Sequence, residues 1–223
     1  MFGIRQCLSY VSLLFLMFTV NQSQANAWFN QSYTGQASYY HANGTGNCGF
    51  SPSPQNLNVV ALNNRDYQRS NSCGAFIEVE GPKGKAIVRV VDRCPGCKPG
   101  GLDLSKQAFQ QVAELRQGRV PVRWRFIPGN VIGNIQVKFT KGTGGRFLAL
   151  TVLNHKFPVH SVALRNGQGQ WFELQRKPYN IFVRRARFGQ GPFTLRLTDI
   201  RNEVRLAPIH IKRGQHVTTD VQF

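Results

Sequence analysis

The chain has 223 residues, enough for one large domain or two small ones, and carries 28 Lys and Arg against 10 Asp and Glu, a formal net charge of +18. That surplus suits a polyanionic surface: an acidic polysaccharide, an anionic membrane or a nucleic acid. The first residues narrow the choice. Arg5 is their only charge, residues 10–20 are apolar, and Ala25-Asn26-Ala27 has the small-x-small form of a signal cleavage site. The apolar run is too short for a comfortable membrane span, and nothing later resembles one. The sequence therefore predicts a secreted protein that begins near Trp28, has no nucleic-acid partner, and loses Cys7 with residues 1–27.

Residues 35–40 read as a first strand, followed by the turn-rich loop Asn43-Gly44-Thr45-Gly46-Asn47. After Ser51-Pro52-Ser53-Pro54, residues 56–62 alternate apolar side chains into a core, and residues 63–72 are polar and irregular. Residues 74–80 alternate with period two, Gly81-Pro82-Lys83-Gly84 turns the chain, and 86–91 form the next strand. Residues 102–109 read as a helix start, with Phe109, Val112, Ala113 and Leu115 as the apolar face. Residues 120–126 return as a strand, with Trp124 in the core. This half, 28–128, predicts a six-stranded barrel with one helix.

Residues 128–133 form a connector so short that the two halves must touch. Beyond it, 133–223 is strand and turn only. Strands at 135–140, 147–153, 159–164, 170–174, 179–183, 193–198 and 216–223 recur at roughly 8–12-residue spacing, the pattern of an immunoglobulin-like antiparallel β-sandwich. Trp171 reads as part of its core. Residues 28–130 hold twelve bases and six acids, whereas 131–223 hold fifteen bases and four acids. The second half is a polycation, which fits a polyanion-binding face or a simply solvated one.

Four cysteines remain after export: Cys48, Cys73, Cys94 and Cys97, an even set in an oxidising destination, so disulfides are expected. Three pairings are open; Cys94 and Cys97 are near enough to join locally, which would leave Cys48 with Cys73. Zinc would need a second closely spaced pair or a neighbouring His, and the sequence offers neither. No metal and no cofactor are expected. The Cys-x-x-Cys lies between two carboxylates, Asp92 and Asp103, at the edges of one loop where a buried strand gives way to a helix. Taken alone, Asp103 also fits a helix N-terminal acid, and Asp92 a turn residue.

Seven segments carry a wider resemblance: Gly35-Gln36-Ala37-Ser38-Tyr39, Glu78-Val79-Glu80-Gly81-Pro82-Lys83-Gly84, Val91-Asp92-Arg93-Cys94-Pro95, Leu102-Asp103-Leu104-Ser105, Asn154-His155-Lys156-Phe157-Pro158-Val159, Pro178-Tyr179-Asn180-Ile181-Phe182-Val183 and Leu197-Thr198-Asp199-Ile200-Arg201. In order and spacing they resemble the two-domain bacterial expansin-like proteins over essentially the whole mature chain. The resemblance implies a double-psi β-barrel followed by a β-sandwich carbohydrate-binding domain. It implies a secreted protein, expected as a monomer, that loosens plant cell walls without hydrolysing them. Ser38, Asp92 and Asp103 would then line the barrel groove. The Cys48–Cys73 pairing would match the plant-type members, as would Cys94, where bacterial members often carry a Tyr. Where relatives present two adjacent Trp and a Tyr to cellulose, this chain has Arg146, Phe147 and Tyr179. Weaker stacking and high positive charge shift the expected partner from crystalline cellulose toward acidic pectic or hemicellulosic matrix polymers.

An inverting glycosidase needs an acid and a base roughly 6.5–9.5 Å apart. No Asp or Glu occurs between Trp28 and Arg65, so the base position of the first strand region is empty. The expected mechanism is physical: Asp103, Asp92, Ser38 and Tyr39 hydrogen-bond a glycan and draw it from its neighbours. A lytic transglycosylase acting on peptidoglycan is the rival, since one acid suffices when the substrate's own hydroxyl is the nucleophile. An inert carbohydrate-binding module is the third reading.

Overall fold

The computed structural model describes residues 28–223; the expected export signal lies outside them. Six strands, β1 (Ser32–Tyr40), β2 (Val59–Asn63), β3 (Phe76–Glu80), β4 (Lys85–Cys94), β5 (Leu102–Ser105) and β6 (Val120–Ile127), close into a barrel in the order β1-β5-β2-β4-β3-β6. β1 runs parallel to β5 and β2 parallel to β4, while the other pairs are antiparallel. Alternation drives the closure: Ile77, Val88, Leu104, Trp124 and Phe126 are buried. Each contributes about 1.5–3 kcal/mol relative to exposure. Trp124 also donates from Nε1 to the Gly100 carbonyl at 2.8 Å. Gly35 permits a close backbone approach, since a Cβ there would lie 2.2 Å from the Gly100 oxygen.

Two expectations are corrected in this half. Leu102-Asp103-Leu104-Ser105 is a strand, because Leu102 and Leu104 both enter the core and β5 is paired on both sides, by β1 and β2. The helix starts one residue later, at Lys106–Val112, capped by Ser105 Oγ accepting from the Ala108 amide at 3.1 Å. The segment expected to be irregular contains a helical turn, Asn64–Tyr67, with Asp66 and Tyr67 buried.

The second half holds eight strands: β7 (Gln136–Phe139), β8 (Phe147–Leu153), β9 (Val159–Arg165), β10 (Trp171–Arg176), β11 (Phe182–Arg185), β12 (Phe193–Asp199), β13 (Val204–Ile209) and β14 (His216–Thr218). They form an antiparallel array in the order β13-β12-β9-β10-β11-β8-β7-β14, folded over a core that includes Leu150, Val162, Phe182 and Leu197. β13 has no counterpart among the expected strands, because Pro208 interrupts its pattern and Val204 and Leu206 face solvent. The strand expected at 179–183 begins only at Phe182: Asn180 takes a left-handed φ of 61°, placing Tyr179 in the β10–β11 turn. Trp171 is not core. It shares the outward face of β10 with Glu173, and the guanidinium carbons of Arg165 and Arg196 lie 5.4 and 4.7 Å from its ring centre. The array is a β-sandwich, so the chain is mainly β throughout.

The halves are joined by hydrogen bonds rather than by the connector alone. Asn180 Nδ2 donates to the Cys48 carbonyl (3.1 Å), Ser70 Oγ to the Lys177 carbonyl (2.9 Å) and the Tyr67 hydroxyl to the Pro178 carbonyl (3.2 Å). Phe29 packs edge-on against Phe157 at 5.7 Å. Disulfides link Cys48 to Cys73 and Cys94 to Cys97. No described helix is long and apolar enough to cross a membrane.

Candidate functional site

Strand register builds the site. Ala61 on β2 pairs with Asp92 on one side and Asp103 on the other, and Asp103 pairs in turn with Ser38 on β1. Residues directly opposite on neighbouring strands face the same way, so Asp92, Ala61, Asp103 and Ser38 form one row. Two strand spacings separate the backbones of the acids, about 9–10 Å.

The Ser38 hydroxyl donates to Asp103 Oδ1 at 2.7 Å. Burial pushes the Asp103 pKa above the usual carboxylate value, and the Asp92 charge adds to the rise; the Ser38 hydrogen bond and Arg119 oppose it. Asp92 is used differently. Its Oδ1 accepts from the backbone amides of Asn47 (2.6 Å) and Arg93 (2.8 Å), so it anchors the Asn47 loop to the end of β4. Gly46 makes this possible, since a Cβ there would lie 2.4 Å from the Asp92 Cβ. The first acid of the described chain, Asp66, is structural: it accepts from Asn63 Nδ2 and the Gly100 amide.

Tyr39 belongs to the opposite face of β1 and does not join this row. Its ring packs on Phe109 at 4.9 Å, with Lys106 Nζ 6.0 Å away, because successive strand residues alternate sides. Tyr40 follows Ser38 by two and takes the place expected for Tyr39. Its hydroxyl is buried without a hydrogen-bond partner. Burial, then the charges of Asp92 and Asp103, push its pKa up, so it stays a proton-bearing donor. Counting by two from Ser38 would have found it; nothing in the sequence pointed to Arg119. A cavity of about 540 Å³ opens beside Ser38, walled by the Cys94–Cys97 disulfide, Lys98 and Arg119.

On the sandwich, Arg146 is exposed and Phe147 half-buried, paired across β8 and β11 with Arg185. The Arg185 guanidinium lies 5.2 Å from the Phe147 ring centre, so a cation covers part of that aromatic surface. Tyr179 is 48% exposed. Asn47 ties its turn to the groove, donating from Nδ2 to the Pro178 carbonyl (3.0 Å) while its amide holds Asp92. Among the described residues no cluster of three or more His, Cys, Asp or Glu could hold a metal ion.

A six-stranded barrel with an acid row, fused to a β-sandwich with an exposed aromatic and basic face, makes this a two-domain, mainly β protein. Residues 26–124 match a family model described as lytic transglycolase. Over 204 residues the chain is 31% identical to Expansin-YoaJ of Bacillus subtilis (strain 168), covering 88% of this chain and 86% of that protein. It is 28% identical over 171 residues to Expansin-like protein 2 of Dictyostelium discoideum, of which it spans 42%. The crystal structure of an apo expansin from Clavibacter michiganensis superposes with a TM-score of 0.79 at 26% identity, over 86% of this chain and 98% of that one. A mutant of that expansin, crystallised with cellohexaose, superposes equally well. The chain belongs to the expansin family.

Proposed function

We propose that this is an extracellular wall-loosening protein that grips a glycan in the Asp92–Asp103–Ser38 groove and separates it from its neighbours without hydrolysis. The observation that carries this reading is the unequal use of the two acids. Their spacing alone would accommodate an inverting pair, but Asp92 has an oxygen tied by two backbone amides and serves as a clamp. Asp103, its pKa raised by burial, is then left to meet sugar hydroxyls. Glycan–glycan hydrogen bonds contribute about 1 kcal/mol net each, which a groove of several donors and acceptors can match.

The sandwich supplies anchoring. Arg146, Arg184, Arg185 and Arg187 are exposed and form no ion pair among the described residues, whereas Glu173, Asp199 and Glu203 pair with Arg196, Arg201 and Arg205. Free cations around Phe147 favour acidic matrix polymers such as pectin, and Tyr179 supports stacking on a neutral chain such as the cellohexaose bound by the Clavibacter mutant. The lytic transglycosylase reading keeps one specific support, the family model covering the barrel. Incubation of the protein with cellulose, pectin and peptidoglycan separates the two. Binding to the plant polymers without released sugar is the expected outcome; soluble anhydro-muropeptides would establish the rival.

A further inference from the structure

The loop that carries Cys48 has two flanks. Asn47 turns to Asp92, whereas the Phe50 ring lies 5.1 Å from the Arg89 guanidinium. Around Arg89 the barrel and the sandwich leave a cavity of about 320 Å³, bordered by Ser51, Phe50 and Arg89 from one domain and Gln136, His155 and His216 from the other. A second cavity, of about 560 Å³, adjoins it and also includes Arg89. None of these wall residues belongs to the Asp103 row or to the Phe147 face.

Arg89 is mostly removed from water, and burial lowers its pKa, yet it has no ion pair and no side-chain hydrogen bond among the described residues. Arg176, a second partly buried guanidinium at this interface, finds protein acceptors at both terminal nitrogens, although its Nε has none. It donates from Nη1 to the Ser70 carbonyl (3.1 Å) and Asn180 Oδ1 (2.9 Å), and from Nη2 to the Val159 carbonyl. The Arg89 nitrogens keep contact with solvent in the cleft, and the protein supplies them with no acceptor, so the guanidinium is open to one from outside. His155 also lines this cavity, 4% exposed and with its ring beside the Phe157 backbone. Only glycine at 74 admits the ring, because a Cβ there would lie 2.6 Å from Nε2. No carboxylate lines either cavity. The cleft thus presents an unmatched guanidinium fork and neutral polar groups, with Phe50 and the edge of the His155 ring as walls. A guanidinium fork matches a carboxylate bidentately, and this volume, near the lower end of the roughly 300–1,000 Å³ of small-molecule sites, fits one sugar residue.

We propose that the interdomain cleft is a second binding site, separate from the groove, for a single uronic acid residue, its carboxylate on Arg89 and its hydroxyls facing Ser51, Gln136 and His155. Such a ligand would bridge the two domains. The site stands on Arg89 and the cavity around it and does not depend on how the Phe147 face chooses its polymer.

Titration of the mature protein with galacturonate, tri-galacturonate and glucose, followed through the His155 ring signals by NMR, tests it. Galacturonate should move those signals and glucose should not. Arg89→Gln should weaken the effect at least about tenfold, and Ser51→Trp, which fills the cavity from its rim, should block it. Asp103→Asn and the double variant Arg146→Gln/Arg185→Gln should leave it unchanged. Matching affinity for the trimer identifies a polymer's uronate unit as ligand; exclusion of the trimer identifies the free sugar acid. No response to millimolar galacturonate, an undiminished response in Arg89→Gln, or one abolished in Asp103→Asn would overturn the assignment, whatever the fate of the Phe147 face.

Discussion

The barrel groove and the sandwich face both lie on the molecule's outside, but they hold their functional groups in opposite ways. In the groove Ser38, Asp92 and Asp103 ride on strands paired on both sides, half-buried and fixed by short hydrogen bonds, as between Ser38 and Asp103 at 2.7 Å. On the sandwich the groups are exposed: Tyr179 at the tip of a turn, Phe147 partly covered by Arg185, and unpaired arginines around them. In the proposed function the first surface would select by geometry and the second attract by charge, and a protein that pulls one chain from a bundle while staying attached to the rest has use for both.

The largest expected effect tests that division at the groove. Asp103→Asn should reduce wall extension at least about tenfold, because it would remove the charge-assisted hydrogen bond that the proposed function assigns to Asp103 and the glycan. Binding to whole walls should stay within about twofold, since the substitution leaves the basic face and its long-range attraction intact. Next comes acid. His155, between the two domains, has a pKa lowered to about 4 by burial and by the charges of Arg176 and Arg89. Between about pH 6.5 and 4 the unfolded chain binds the extra proton and the folded one does not, so stability should fall by a few kcal/mol as pH drops through that window. Asp103 has the opposite sign: its raised pKa makes its contribution fade as pH rises through the folded value. Melting temperature against pH should therefore flatten on the acid side in His155→Gln, and Asp103→Asn should gain on wild type towards neutrality.

Smaller effects sharpen the contrast on the sandwich. Raising salt from about 0.05 to 0.5 M, or introducing Arg146→Gln with Arg185→Gln, should lower affinity for pectin about tenfold and change affinity for cellulose little, as measured by depletion assays. Tyr179→Ala should do the reverse, weakening cellulose binding about threefold to tenfold by removing a stacking ring. If both polymers respond alike to salt and to Tyr179→Ala, the face is not divided as described.

The sequence disclosed what depends on residue type at fixed spacing. Period-two runs mark the strands around Ile77, Val88 and Trp124, and the Ser38, Asp92 and Asp103 segments stand out against their surroundings. What stayed hidden depends on what pairs with what. Four residues, Leu102 to Ser105, are too few to show their period beside a following helix, and only the flanking β1 and β2 make them a strand. Tyr39 and Tyr40 are identical in type, so register alone decides which faces the groove. Size argues for Trp171 in the core, but cross-strand Arg165 and Arg196 give it a home on the surface. Arg89 gives no signal, because its exception lies in the acceptors it lacks.

The most direct test of the account is creep of isolated plant walls under constant load, with the bathing solution analysed for sugars in the same run. Extension with no soluble oligosaccharide, abolished in Asp103→Asn, is the expected result. Reducing sugars that accumulate in step with extension and vanish in the same variant would contradict it, and would make Asp92 and Asp103 a hydrolytic pair.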